Sequence, residues 1–382
     1  MTIKTTLAAA AVAALAIATA GCAAGGQGGA AGAPAPSTTG SATGGTTATA
    51  GTPATAPTWP VKTREHVDLW LHGFALLQPD TTQVPFFQRG YRDQLTVAKN
   101  RANVTSLLDA NRDQLTRRFA VNRDLVGAQF LALYFGSWDE LKQGTSLFLQ
   151  ANGDPQRAGN QQAAAIIATF AQLFPTSADR DWLRLFVQGL DDESRKFYHS
   201  YWVAQQRDRA ATLAAVDTLW QQRYRPRLQR FLNNTQQANG DLLLSLPLDG
   251  EGRTVSGGKL QNIVTVGFPA SPADARDAIY TFAHEVAGAL ATSAVNDNTT
   301  PNDKRTGVAQ RMQSAAAVRT GYLLLQRTSP DLADGYARYY LKSAGATATA
   351  ADPGAALAST FPLPASLLDA IGRQLDVVLG GI

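Results

Sequence analysis

The 382-residue chain holds one cysteine, Cys22, four histidines and two methionines. A single thiol excludes an internal disulfide, so the fold has to rest on packing. The histidines are His66, His72, His199 and His284. That small set limits any metal or acid-base proposal. Charged residues make up 17% of the chain, with a formal net charge of +4 at pH 7. The arginines are scattered among acids, which argues against nucleic acid as a partner, because that needs basic residues clustered on one face. There is no glycine-rich phosphate loop, no G-x-S-x-G elbow, no CxxC pair, no calcium loop and no internal repeat. No apolar run reaches the roughly 20 residues that span a bilayer. What remains is 45% hydrophobic, enough to bury a sizeable core in one large domain or two smaller ones.

The N-terminus has a recognisable plan. Lys4 precedes an apolar run over 7–20, LAAAAVAALAIATA, and small residues lead to Cys22. Thr19-Ala20-Gly21-Cys22 resembles the lipobox of bacterial lipoproteins, with Thr19 a departure from the usual Leu or Val. The resemblance implies that residues 1–21 are a signal peptide and that Cys22 is the lipid attachment point. It implies a protein outside the cytoplasm, held to a membrane by its lipid. Residue 23 is alanine, not the aspartate of inner-membrane retention, so the outer membrane is implied in a host that has one. Residues 22–58 are almost entirely Gly, Ala, Ser, Thr and Pro, with no charge and no aromatic before Trp59. Such a segment reads as a flexible tether.

From Trp59 to 240 the patterns predict helices. Val67, Trp70, Leu71, Phe74 and Leu77 lie on one face of 64–77. Similar patterns cover 86–119, 121–135, 138–150, 160–173, 178–189, 192–205 and 208–233, and Pro226 is positioned to kink or split the last. After Gly240 the character changes. Residues 241–248 and 261–268 read as strands, expected to pair as an antiparallel hairpin around Glu251-Gly252-Arg253. Helices follow at 272–293, 304–327, 330–343 and 364–379. The expected fold is mostly α (α+β), a helical region at 59–240 packed with an α+β region at 241–382.

The 272–293 helix carries the one motif with chemistry in it. Its apolar stripe is Ala275, Ile279, Phe282, Ala283, Val286 and Leu290, and the helical wheel sets His284 off that stripe, facing solvent or a cleft. A strand, a capped helix and Ala-His-Glu-Val-Ala-Gly within it resemble the zincin metallopeptidases. The resemblance implies His284 as a zinc ligand, Glu285 as the general base and 261–268 as the edge strand that binds substrate backbone. Gly288 stands where the second histidine belongs, and no Glu or His follows Glu285. Three readings stay open: a zincin-like region without metal that works by binding a protein or peptide, a zinc-dependent peptidase completed by a distant ligand, and a helical envelope scaffold. His66 and His72 lie about 240° apart on their helix and cannot share a ligand. They read as packing or surface residues. His199, in the aromatic run 197–202, reads as helical packing. The Arg-Tyr-Trp stretch 195–230 reads as an amphipathic helix pair.

Overall fold

The computed structural model describes residues 58–78 and 84–380. Cys22, the signal-like run and the segment before Thr58 lie outside the described residues. Among the described residues, no helix is long and apolar enough to cross a membrane.

The chain is mostly helical with one small sheet, as its patterning predicts. After β1 (Val61–Lys62) come α1 (Glu65–Leu77), α2 (Tyr91–Ala102), α3 (Leu107–Ala110), α4 (Arg112–Val121), α5 (Trp138–Gln150), α6 (Gln161–Leu173), α7 (Ser177–Glu193) and α8 (His199–Asp208). Then α9 (Ala210–Leu219) and α10 (Arg225–Asn234) lead into β2 (Gly240–Ser245), β3 (Arg253–Ser256) and β4 (Asn262–Gly267). The remainder is α11 (Ala275–Asp297), α12 (Pro301–Arg305), α13 (Val308–Thr328), α14 (Pro330–Ser343), α15 (Pro353–Thr360) and α16 (Ala365–Gly380).

Local chemistry sets these boundaries. Ser137 caps α5 and Asn160 caps α6, and Thr176 with Asp179 forms a capping box on α7. Each such cap is worth about 1 kcal/mol. The helix expected over 86–119 breaks at Asn103, which takes a left-handed φ of 51°, and restarts at the Ser106–Asp109 capping box. The helix expected over 121–135 is instead a pair of 3-10 turns, Arg123–Ala128 and Leu131–Tyr134, whose apolar side chains are buried in several directions. Pro226 acts as expected. Lacking an N–H and clashing with the carbonyl four residues back, it follows a widened π turn at Trp220–Tyr224. A second π turn, Ser194–Tyr198, joins α7 to α8.

The sheet is mixed, in the order β1-β2-β4-β3. Here the hairpin expectation is corrected. β2 and β4 pair in parallel, with Leu242 opposite Val264 and Leu244 opposite Val266. The connection between them supplies β3, which runs antiparallel to β4 with Arg253 opposite Thr265. That short strand takes up the reversal, so β4 re-enters in the direction of β2.

Side chains alternate across the sheet and feed two cores. Leu242, Leu244, Val264 and Val266 face α9–α11 and the later helices, whereas Leu243 and Val255 face α1–α8. The architecture is therefore a helical layer on each face of a small sheet. Trp59 seals the point where the chain enters. It is fully buried, packs edge-on against Phe282 at 5.2 Å and donates from its indole N–H to the Gln237 carbonyl. Its own carbonyl accepts from Trp220 Nε1 and Gln221 Nε2.

Candidate functional site

α11 runs through the middle of the C-terminal layer and packs most closely along α13. Small residues make this approach possible. A Cβ on Gly321 of α13 would lie 3.2 Å from the His284 Cα and 2.3 Å from the Tyr336 hydroxyl, so only glycine fits there.

The expected orientation of His284 is corrected. It is buried, with 6% of its surface exposed, and stacks on Tyr340 with ring centroids 5.2 Å apart. Its Nδ1 has no hydrogen-bond partner. Burial pushes its pKa down to about 4, so the ring is neutral at pH 7. The helical wheel failed because α13 and α14 cover the face that carries Thr281 and His284. Around His284 the helix is covered on nearly every side, and its exposed stripe lies further along, at Ala289, Ser293 and Asn296.

Glu285 lies at the sheet's edge. Its carboxylate Oε1 accepts the Gly252 N–H at 3.0 Å, and the Thr254 N–H also stabilises its charged form. These donors belong to the start of β3, one of the two edge strands. Glu285 thus caps backbone groups that an edge strand leaves unpaired. Gly252 makes this possible. A Cβ there would sit 1.9 Å from the Thr265 carbonyl oxygen, so no other residue brings that N–H so close to α11. The expectation that 261–268 is an edge strand is corrected in turn. β4 packs against α11, but it is interior, flanked by β2 and β3.

In the Glu251-Gly252-Arg253 segment Gly252 is buried and only Arg253 is exposed. Glu251 is half-buried beside Glu285, and the Arg253 guanidinium lies over the Phe130 ring at 5.7 Å. Burial pushes Glu285 up to about 7, against the pull of the Gly252 N–H, Arg253 and the Thr254 N–H. Burial, and then the neighbouring Glu285 charge, pushes Glu251 up to about 8, against Arg253. Two acids thus share one low-dielectric edge and resist ionising together. His284 Nε2 is 3.8 Å from Glu285 Oε1, yet a neutral ring makes this no ion pair near pH 7.

These residues do not fit a catalytic zinc, which takes three protein ligands. His284 is one, Gly288 offers none, and Asp297 lies about 20 Å further along the helix from thirteen residues of rise. Asp303 and Asp352 cap helices, Asp331 binds Arg223 and Arg227, and Asp376 binds Arg327. Among the described residues, no three His, Cys, Asp or Glu side chains gather as a metal-binding group.

The other histidines lie elsewhere. His66 Nε2 is 2.8 Å from the Phe135 carbonyl oxygen. His199 is exposed and pairs with Glu65 at 3.0 Å, so it is a surface residue rather than a packed one. His72 belongs to a buried network with no signature in the sequence. Its Nε2 meets Glu193 at 3.2 Å, Lys99 Nζ meets the same carboxylate at 2.7 Å, and Ser106 Oγ donates to it. Burial opposes ionisation of Glu193, but His72, Lys99 and Ser106 outweigh it and pull the carboxyl down to about 2. This cluster joins α1, α2, α3 and α7, and reaches the surface at Asp109, whose carboxylate also pairs with Lys99 and accepts from Ser106. Asp68, also buried, accepts from Trp202 Nε1 at 2.9 Å and is pushed up to about 7 by burial.

No family model, curated protein or solved structure matches the chain.

Proposed function

We propose that this is a lipid-anchored protein of the cell envelope that works by binding a protein or peptide, and that its His284-Glu285 helix is a framework element rather than a zinc centre. The anchor reading rests on the Gly21-Cys22 lipobox resemblance and the apolar run before it. The observation that carries the rest is the engagement of Glu285. The carboxylate that would activate a metal-bound water is instead committed to backbone N–H groups at the start of β3. The ring that would hold the metal is stacked on Tyr340. Both groups act as parts of the packing between α11, the sheet edge and α14.

The test is zinc content on the purified full chain, beside its His284→Ala variant. Little or no zinc in either supports the framework reading. Near-stoichiometric zinc in the parent that disappears in the variant overturns it and restores the peptidase. Radiolabelled palmitate incorporated by the parent and lost in Cys22→Ser tests the anchor separately.

A further inference from the structure

A second site lies in the N-terminal layer, on helices that belong to the other core. The last turn of α1, Arg92 of α2 and the first turns of α4 line an open surface pocket of about 430 Å³, with Asp113, Thr116 and Arg117 exposed at its rim. That volume falls within the range of small-ligand sites, roughly 300–1,000 Å³. Three guanidiniums line it, from Arg92, Arg112 and Arg117, against the single carboxylate of Asp113. Three positive charges less one negative leave a net +2 around one small space.

We propose that this pocket binds a phosphate-bearing ligand. Arg92 is already held in place. Its Nη2 donates to the Ala75 carbonyl at 3.2 Å and to the Gln78 carbonyl, at the C-terminal end of α1. Ordering its side chain is therefore no longer a cost of binding. Arg112 and Arg117 make no side-chain hydrogen bond or ion pair among the described residues, and they are not among those with interactions left unstated. Arg112 also occupies the first position of α4, where the positive end of the helix dipole disfavours a cation. An anion relieves that repulsion. Thr116 lies one turn beyond Arg112 on the same face and adds a hydroxyl donor. Planar guanidinium forks with a hydroxyl match the tetrahedral oxygens of a phosphate group. The phosphate can be that of a soluble ester or of a phospholipid headgroup.

The experiment uses the full chain with Cys22→Ser, so that no lipid anchor forms. Inorganic phosphate is titrated calorimetrically. In parallel, the protein is sedimented with vesicles of phosphatidylcholine alone or mixed with phosphatidylglycerol. The test variant is Arg112→Gln with Arg117→Gln. The control, Arg101→Gln with Arg123→Gln, removes the same charge from exposed positions outside the pocket. Saturable phosphate binding, weakened at least about tenfold in the test variant and unchanged in the control, supports the site. If phosphatidylglycerol vesicles also bind, and phosphate competes, the headgroup is the source. If phosphate binds and vesicles do not, the ligand is a soluble phosphate compound. Absence of both bindings, or equal weakening by test and control variants, overturns the proposal.

Discussion

Replacing Glu285 by glutamine tests the reading of α11 most directly. Glutamine keeps an oxygen for the Gly252 N–H and removes only the charge. In the fold the Glu285 carboxyl is pushed from its ordinary 4.5 to about 7. The folded state therefore holds its proton more tightly than the unfolded chain. The sign follows: stability contributed by this group is greatest below about 4.5 and is lost as pH rises through about 7. At 1.36 kcal/mol per tenfold change in acidity, the loss is about 3 kcal/mol above that window. Glutamine cannot ionise and does not suffer it. Glu251 adds to the effect, because the Glu285 charge helps to hold it up near 8. The two are coupled, so their contributions do not simply sum. Urea unfolding of parent and Glu285→Gln at about pH 5 and about pH 9 measures the difference. The variant should match the parent at the lower pH and exceed it by about 2–3 kcal/mol at the higher. A gap that does not change with pH would refute the raised pKa of Glu285, and a variant weaker than the parent at high pH would show that the bonds from the Gly252 and Thr254 N–H groups to the carboxylate outweigh the cost of its burial.

Two further substitutions probe Glu193 and His284. Glu193→Gln removes the charge that Lys99 and His72 share, but Lys99 keeps its pair with Asp109, so the cost should be about 2–3 kcal/mol at pH 7 by urea unfolding. Because the Glu193 carboxyl is held down to about 2, the parent should lose this advantage as pH falls from about 4.5 to 2, a loss that the variant lacks. A Glu193→Gln protein as stable as the parent at pH 7 would refute the network's role. His284→Phe should change stability by less than about 1 kcal/mol, since it keeps the stack on Tyr340 and removes an unpaired buried nitrogen. A large loss on thermal melting would mean that the ring's nitrogens have partners that matter.

The long helices were legible where a polar cap opens an amphipathic stretch, whereas the short α12 and α15, capped by Thr300 and Asp352, were not expected. Residues 138–150 and 330–343 match their predicted limits because Ser137 and Pro330 mark the starts. β3 was illegible because Arg253–Ser256 has one buried apolar residue and close glycines on both sides. Missing it turned a parallel pair into an expected hairpin. The His-Glu pair was visible in the sequence, and so was Glu251-Gly252-Arg253, but not their meeting. That meeting depends on the approach of Gly252 to Thr265, which pairs residues 33 positions apart in the chain at the hydrogen bond to Glu285. The Glu193 network was hidden for the same reason. Its members come from four helices, and none is unusual in its local sequence.

The clamp on Trp59 has a mechanical meaning. A pull on the N-terminal segment arrives first at a ring and carbonyl held by Gln237, Trp220 and Gln221. From there the load passes into β1, which lies parallel to β2 with Val61 opposite Leu242. Force applied along parallel strands shears their hydrogen bonds together instead of peeling them apart singly. Lys62 and Arg64, both on Asp241 at 2.7 Å, stiffen the same junction. Tension at the entry point is thus delivered to the middle of the fold, where both cores share it, and the helices that flank the sheet are spared from being unwound from one end.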